Sequence, residues 1–379
     1  MVQIPFVVFQ KGGNTMNSVK LSSLAITCGG TGGHFYPGLS IARHLKEQGV
    51  RVTIFLSGRN IPSQSAEAAR HGIETICLPA TTRSKPGQAL GLLGGYLRSL
   101  RELRKSRPDA LLGMGSFASS PTAMAAVTLR IPLFLHDGNA RVGKANRMLS
   151  RFARHLGTAF PAVNPGALKC PHGCTGMPLR PEITSGETLS ATDAIARINS
   201  LYDGSLEAET PTLLIFGGSQ GAAIFNSVLP EALHRLGDLK FQVIHLTGKD
   251  KFDEVREVYR GAPFPALLLP ASSEMHLLYQ ASALAVCRSG GSTVAELAHF
   301  GRPALLIPYP YAAELHQDDN ARFYAGTGAA VVLQNSECTP EKVAETLRRL
   351  LLEPLNPPPA PSSAVTGNIE IIESYLSKA

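Results

Sequence analysis

A histidine closing a run of glycines is the first place in this chain where residue types and spacing could do chemistry. The run is Cys28-Gly29-Gly30-Thr31-Gly32-Gly33-His34, followed by Phe35-Tyr36-Pro37. It joins the apolar stretch Leu24 to Cys28, which predicts a buried parallel strand, to the amphipathic stretch Leu39 to Lys46, which predicts a helix. Glycines let the backbone turn tightly and bring its N–H groups close to a bulky guest, and Pro37 suits the first helical turn. A helix N-terminus carries free N–H donors and a partial positive charge, so the natural guest is an anion. His34 adds a group that could take a proton, and the positive helix end disfavours its imidazolium form.

Two further turns have the same design. Gly217-Gly218-Ser219-Gln220-Gly221 follows the apolar run Thr212 to Phe216, and Arg288-Ser289-Gly290-Gly291-Ser292-Thr293-Val294-Ala295-Glu296 follows Ala283 to Cys287. The latter offers a cation, backbone donors, hydroxyls and a carboxylate, the parts needed for a diphosphate, a ribose diol and a base. The loop from Pro308 to Ala321 holds Gln317 and Asn320, whose amides suit sugar hydroxyls. A dinucleotide site wants an acid at the end of the second strand. That strand ends Leu56-Ser57-Gly58-Arg59, which leaves room only for a phosphorylated ribose. The Gly-Lys-Ser/Thr of a P-loop is missing from both early turns, and no Asp-x-Asp occurs in the chain. Cys170-Pro-His172-Gly-Cys174 supplies three zinc ligands without a fourth.

The elements that must position these groups read as a βαβ series. Apolar runs at 22–28, 51–56, 73–78, 110–114 and 132–136 alternate with helical patterns such as Ser65 to His71 and Leu97 to Lys105, and runs at 241–246, 266–269, 283–287, 304–307 and 329–333 repeat the rhythm. With 379 residues, two domains are expected. The expected bounds are residues 17–181 for an N-terminal domain, 182–210 for a polar acidic linker and 211–352 for a C-terminal domain, with a closing helix at 366–379 expected to pack back on the first. Lys11-Gly-Gly and Met16 follow a short apolar patch unlike a signal peptide, so translation is expected to start at Met16. The composition, 44% hydrophobic and 17% charged, suits a globular protein, no apolar run approaches the roughly 18–20 residues that span a bilayer, and six scattered cysteines suit a reducing cytoplasm. The net charge of +7 points to an anionic partner. Between Arg83 and Arg107 seven basic residues stand against one acid beside Leu92, Leu93 and Tyr96, which fits either a solvated basic face or a patch lying on an anionic membrane. No nucleic-acid partner is expected.

Taken together, Gly29-Gly-Thr-Gly-Gly-His34-x-x-Pro37, Gly217-Gly-Ser-Gln-Gly221, Arg288-Ser-Gly290 with Glu296, and Gln317-x-x-Asn320-Ala321 resemble the MurG family of GT-B glycosyltransferases over Leu24 to Leu352. That resemblance implies an α/β protein of two doubly wound Rossmann-like domains facing a cleft. It also implies an inverting, metal-independent hexosyltransferase that moves N-acetylglucosamine from UDP-N-acetylglucosamine (UDP-GlcNAc) to the N-acetylmuramyl hydroxyl of undecaprenyl-pyrophosphoryl-linked N-acetylmuramyl pentapeptide (lipid I), giving lipid II for peptidoglycan. Such an enzyme needs no cofactor and sits peripherally on the cytoplasmic face of the inner membrane.

Carried over by position, His34 is the general base. Thr31, Gly32, Gly33, Asn139, Arg180, Ser219, Ser272, Arg288, Gly291, Ser292, Thr293, Val294, Ala295, Glu296 and Gln317 meet the donor, while Gly30, Gly33 and Asn146 face the acceptor diphosphate. Glu296 and its turn fall on ribose and sugar, Gln317 on the sugar hydroxyls, and Ser272 on the uracil. The chain departs from the family's Glu-x-Asn at Asp137 and Gly138, from its Gly-Asn-Pro at Met177, and from its usual tyrosine at Phe117. Those changes leave open a UDP-sugar enzyme with another acceptor, or an epimerase. The basic segment leaves open a non-catalytic membrane-surface scaffold.

Overall fold

The computed structural model describes residues 21–58, 60–79, 85–184, 186–218, 223–358 and 365–378. Met16, Arg59, Arg83 and the turn residues Ser219, Gln220 and Gly221 lie outside them. The chain divides into two compact units, one running to Arg180 and including the C-terminal segment from Ser362, the other Pro181–Pro361.

The first unit alternates β1 (Ser23–Gly29), α1 (Gly32–Glu47), β2 (Arg51–Ser57), α2 (Ile61–Arg70), β3 (Glu74–Cys77), α3 (Lys85–Ser106), β4 (Ala110–Gly113), α4 (Ser120–Thr128), β5 (Leu133–Asp137), α5 (Lys144–Leu149), β6 (His155–Thr158) and β7 (His172–Cys174). Its seven strands are all parallel in the order β3-β2-β1-β4-β5-β6-β7. All seven residues of β1 are buried, as a continuous apolar strand at the middle of a doubly covered sheet should be.

In the second unit, α6 (Pro181–Thr184), α7 (Ala191–Tyr202), β8 (Thr212–Phe216), α8 (Ala223–His234), β9 (Gln242–Leu246), α9 (Phe252–Val258) and β10 (Ala266–Leu269) come first. Then follow α10 (Met275–Ala281), β11 (Leu284–Cys287), α11 (Gly291–His299), β12 (Ala304–Leu306), α12 (His316–Ala325), β13 (Ala330–Val332) and α13 (Pro340–Leu352). The six-stranded parallel sheet has the order β10-β9-β8-β11-β12-β13. Helix α14 (Val365–Leu376) belongs to the first unit, where Ile369 and Ile372 enter the core with Leu24 and Phe35, and Arg154 lies over the Tyr375 ring.

In each sheet the strand order reverses direction beside the first strand, between β1 and β4 and between β8 and β11. Ligands of such sheets bind outside the carboxyl ends at that reversal. It is where the glycine turns lie.

Three expectations need correction. The stretch 182–210, read as a linker, contains α7, which packs on α10 and is capped by Ser190, whose Oγ accepts the Asp193 N–H at 3.1 Å. Serine three residues before an acid is a start signal that polar composition had masked. Helix α1 begins at Gly32, so His34 lies inside its first turn and Pro37 one turn later, where it denies Gly33 O its intrahelical donor. On α3, Leu92 and Tyr96 are half-buried, and the Tyr96 hydroxyl is 3.0 Å from Thr128 Oγ1; the exposed apolar residues are Leu90, Leu93 and Leu97.

In the core of the second unit, His245 Nδ1 lies 3.0 Å from the Tyr259 hydroxyl and its Nε2 has no partner among the described residues. Burial pushes His245 down to about 3, from 6.5. Between those values the unfolded chain binds a proton that the folded one refuses, so this contribution to stability is full above pH 6.5 and falls as the solution is acidified towards pH 3. Thermal unfolding followed from pH 7 to pH 4 should show that loss, and the His245→Leu/Tyr259→Phe double variant should flatten it.

Candidate active site

In the first unit the site is built from the carboxyl ends of β1, β4 and β5. Gly30 N donates to Ser57 O at 3.0 Å, and Asn60 Nδ2 donates to Gly30 O at 2.9 Å, so the end of β2 holds the loop. Thr31 is the N-cap of α1, with no side-chain cap bond and no acid in the first turn. The N–H groups of Gly32 and Gly33 thus stand at a helix N-terminus whose own first turn carries no carboxylate.

His34 Nδ1 is 3.0 Å from Met114 O. A carbonyl only accepts, so Nδ1 carries the proton and Nε2 the lone pair of the neutral ring. Met114 is itself fixed, because its N–H donates to Thr27 O at 2.9 Å across the β1–β4 ladder. Gly115, at φ +87°, lets the ring in; a Cβ there would lie 3.2 Å from His34 Nδ1.

The end of β5 forms the next layer. Asp137 Oδ2 accepts from Gly143 N at 2.9 Å and Asn146 Nδ2 at 3.0 Å, while Oδ1 accepts from Asn139 N at 3.2 Å. Asn146 is only 1% exposed, and its Nδ2 also donates to His136 O at 2.9 Å. Expected at the acceptor diphosphate, it instead ties the loop after β5 to the strand. His136 Nε2 donates to Gly176 O at 3.0 Å; burial, joined by the nearby His34, holds His136 below the ordinary imidazole range. The Arg180 guanidinium lies over the Tyr36 ring, 5.2 Å from its centre, placing it beside the first turns of α1.

Two of the departures from the family pattern meet here. A Cβ on Gly138 would lie 2.8 Å from Met177 Cε, and Met177 is buried. Because the crowded atom is the end of a flexible side chain, Gly138→Ala should cost no more than about 1 kcal/mol. In a double-mutant cycle with Met177→Ala, denaturant unfolding should show the pair destabilised less than the sum of the singles by about 0.5–1 kcal/mol.

In the second unit, Gly290 is the N-cap of α11, again with no acid in the first turn. Ser289 Oγ donates to Gln317 O at 2.7 Å and Asn320 Nδ2 to Ser289 O at 3.0 Å, which ties α12 to the turn. Gln317 Oε1 accepts from Tyr309 N at 3.0 Å. Arg288 Nη1 donates to Ile307 O, Pro308 O and Asn335 Oδ1 within 3.0 Å, with the guanidinium between the Phe225 and Tyr309 rings. Those bonds hold the loop after β12 in place. Gly291, Ser292, Thr293 and Glu296 are half-buried, whereas the Val294 and Ala295 side chains are in the core. Glu296 Oε2 accepts from the Tyr279 hydroxyl at 2.9 Å. Ser272 Oγ, at the carboxyl rim near β10, is 2.8 Å from the Tyr202 hydroxyl and accepts from Glu274 N at 2.9 Å.

Sequence reasoning missed the Met114 carbonyl, Gly115, Asp137 as an anchor, and Tyr279. Only Asp137, between a strand-end histidine and two asparagines, carried a local signal. His172 and Cys174 lie on edge strand β7, and no group of three or more His, Cys, Asp or Glu among the described residues could hold a metal ion.

The chain matches the glycosyltransferase family 28 N-terminal domain over residues 24–158 and the C-terminal domain of that family over 212–374. It is 37% identical over 339 residues to the UDP-N-acetylglucosamine--N-acetylmuramyl-(pentapeptide) pyrophosphoryl-undecaprenol N-acetylglucosamine transferase of Alkalilimnicola ehrlichii, covering 87% of this chain and 90% of that protein. The enzyme of the same name from Methylococcus capsulatus is 35% identical over 336 residues, covering 86% and 89%. Crystalline Acinetobacter baumannii MurG superposes with a TM-score of 0.72 at 26% identity, over 94% of this chain and 99% of that one. A UDP-GlcNAc 2-epimerase from Neisseria meningitidis, at 12% identity and a TM-score of 0.67 over 93% of this chain and 99% of that one, shares the fold. The chain is a glycosyltransferase of family 28 and belongs to the MurG family of UDP-N-acetylglucosamine--N-acetylmuramyl-(pentapeptide) pyrophosphoryl-undecaprenol N-acetylglucosamine transferases.

Proposed function

We propose that this enzyme moves N-acetylglucosamine from UDP-GlcNAc to the N-acetylmuramyl hydroxyl of lipid I, with inversion, in a single displacement for which His34 is the general base. The observation that carries the mechanism is the His34–Met114 bond, which puts the ring proton on Nδ1 and makes Nε2 the basic atom of the imidazole. The glycine loop from Gly30 to Gly33 binds the acceptor diphosphate through its backbone donors. On the donor, the N–H groups opening α11 meet the diphosphate, Glu296 the ribose, Gln317 the sugar and Ser272 the uracil. Charge developing on the leaving UDP is met by fixed dipoles and Arg180, so no metal is required. A radiolabelled transfer assay with UDP-GlcNAc and a lipid I analogue tests this. The expected result is lipid II formed at a rate that EDTA does not change; donor consumed with no sugar on the acceptor would overturn it.

The proposed lipid acceptor suits a peripheral protein on the cytoplasmic face of the inner membrane. Among the described residues no helix is long and apolar enough to cross a bilayer. Leu90, Leu93 and Leu97 are exposed on α3, with Arg98, Arg101, Arg104 and Lys105 further along the same helix. That combination suits an anionic lipid surface better than nucleic acid, which wants no apolar stripe. Replacing the three leucines with serine should lower co-sedimentation with anionic vesicles at least severalfold while leaving transfer to a detergent-soluble acceptor unchanged; unaltered binding removes the idea.

A further inference from the structure

Tyr279 has no place in the chemistry above, yet it is fully buried and its hydroxyl is spent on a carboxylate. It projects from α10, and its ring stacks on Phe300 at 5.2 Å with 17° between planes. It also meets Phe216 edge-on at 5.8 Å and 86°. Phe216 is the last residue of β8, immediately before Gly217, and Phe300 caps the end of α11. The ring is therefore clamped between the strand that enters one glycine turn and the helix that leaves the other. Its hydroxyl donates to Glu296 Oε2, on α11, at 2.9 Å. A glutamate has three side-chain torsions, and freezing them on ligand binding costs entropy that a pre-formed bond from a rigid donor removes beforehand. A carboxylate offers about four lone-pair positions, so one bond from Tyr279 does not exhaust it.

We propose that Tyr279 is a positioning residue that pre-sets the Glu296 carboxylate for the vicinal hydroxyls of the donor ribose, so that this buried phenol governs discrimination between ribonucleotide and deoxyribonucleotide donors. The proposal rests on the reading of Glu296 as the ribose ligand. It places the selectivity of the nucleotide site in a side chain that never touches the nucleotide.

Titration calorimetry with UDP, 2′-deoxy-UDP, 3′-deoxy-UDP and UMP on the full-length wild type, Tyr279→Phe and Glu296→Gln tests it. In wild type UDP should bind at least about tenfold more tightly than either deoxy analogue, the loss expected when a polar site is left unpaired. Tyr279→Phe should compress that ratio about three- to tenfold, leave the UDP-to-UMP ratio unchanged, and raise the donor KM with little change in kcat. Equal weakening of all four ligands in Tyr279→Phe, or an unchanged deoxy ratio there while Glu296→Gln compresses it, overturns the positioning role. An unchanged ratio in Glu296→Gln overturns the ribose reading itself, and the proposal with it.

Discussion

Replacing His34 with alanine is expected to lower kcat for sugar transfer by about 10²–10⁴-fold, the usual worth of a positioned general base, while the KM for UDP-GlcNAc changes little. The neighbouring histidine cannot take over: His136 is 1% exposed, and its Nε2–H is committed to Gly176 O at 3.0 Å. Gly115→Ala offers a subtler test of the same geometry. Its Cβ would lie 3.2 Å from His34 Nδ1 and 3.3 Å from Asn146 Nδ2, with φ at +87°. The ring must then turn away from Met114 O, which loses control of the tautomer and should reduce kcat about tenfold or more, since small misplacements of a reacting group are costly. A His34→Ala variant that keeps its kcat within a few-fold would mean that the acceptor proton leaves by another route, and Gly115→Ala would then be silent as well.

That His34 could be singled out from sequence reflects how little of its setting is tertiary. A glycine run between a strand pattern and a helix pattern specifies both the turn and the donors, so the loop from Gly29 to Gly33 was legible. The partner that gives the histidine its tautomer was not. Met114 O is a backbone atom 80 residues away in sequence, and nothing about the methionine's side chain announces it. Tyr279 was hidden for a related reason, since an aromatic residue in a helix reads as core, and its hydroxyl bond to Glu296 joins the helices before and after β11, a tertiary contact that no local pattern announces. The strand order explains what composition could not. Once β11 lies beside β8, the turns at 217–218 and 288–290 must open on the same rim of the sheet. Strands β6 and β7, His-Leu-Gly-Thr and His-Gly-Cys, carry too few bulky apolar residues to read as a buried run, and β7 falls in a cysteine–histidine stretch that stood out only for lacking a fourth zinc ligand. Arg288 stood out in sequence as a cation beside a phosphate-type turn, but charge alone could not reveal that three acceptors of its own unit already hold it.

The largest loss of stability is expected at Gly29, and the reason is geometric. Gly29 pairs with Ser57 at the end of the β1–β2 ladder. A Cβ on it would lie 2.0 Å from Ser57 O and 2.9 Å from Ser57 N and C, all backbone atoms that cannot rotate aside. Strand β1 is hydrogen-bonded on its other side to β4, so it cannot retreat without weakening that ladder too. Overpacking of this kind costs about 1–3 kcal/mol, and the positive φ of 154° adds to it. Gly29→Ala should therefore lose about 2–4 kcal/mol, a large share of a typical domain's margin. Gly49→Ala is the matched control: its φ is +81°, yet nothing lies within 4 Å of the added Cβ, so only the backbone term of about 1 kcal/mol remains. Because a chain of two compact units need not unfold in a single step, hydrogen exchange of β1 and β2 peptides is the proper measure. Faster exchange there in Gly29→Ala than in Gly49→Ala isolates the crowding, and equal exchange would refute it. The same substitution should abolish transfer even in molecules that remain folded, because the bond lost first is Gly30 N to Ser57 O, which sets the angle at which the loop delivers His34.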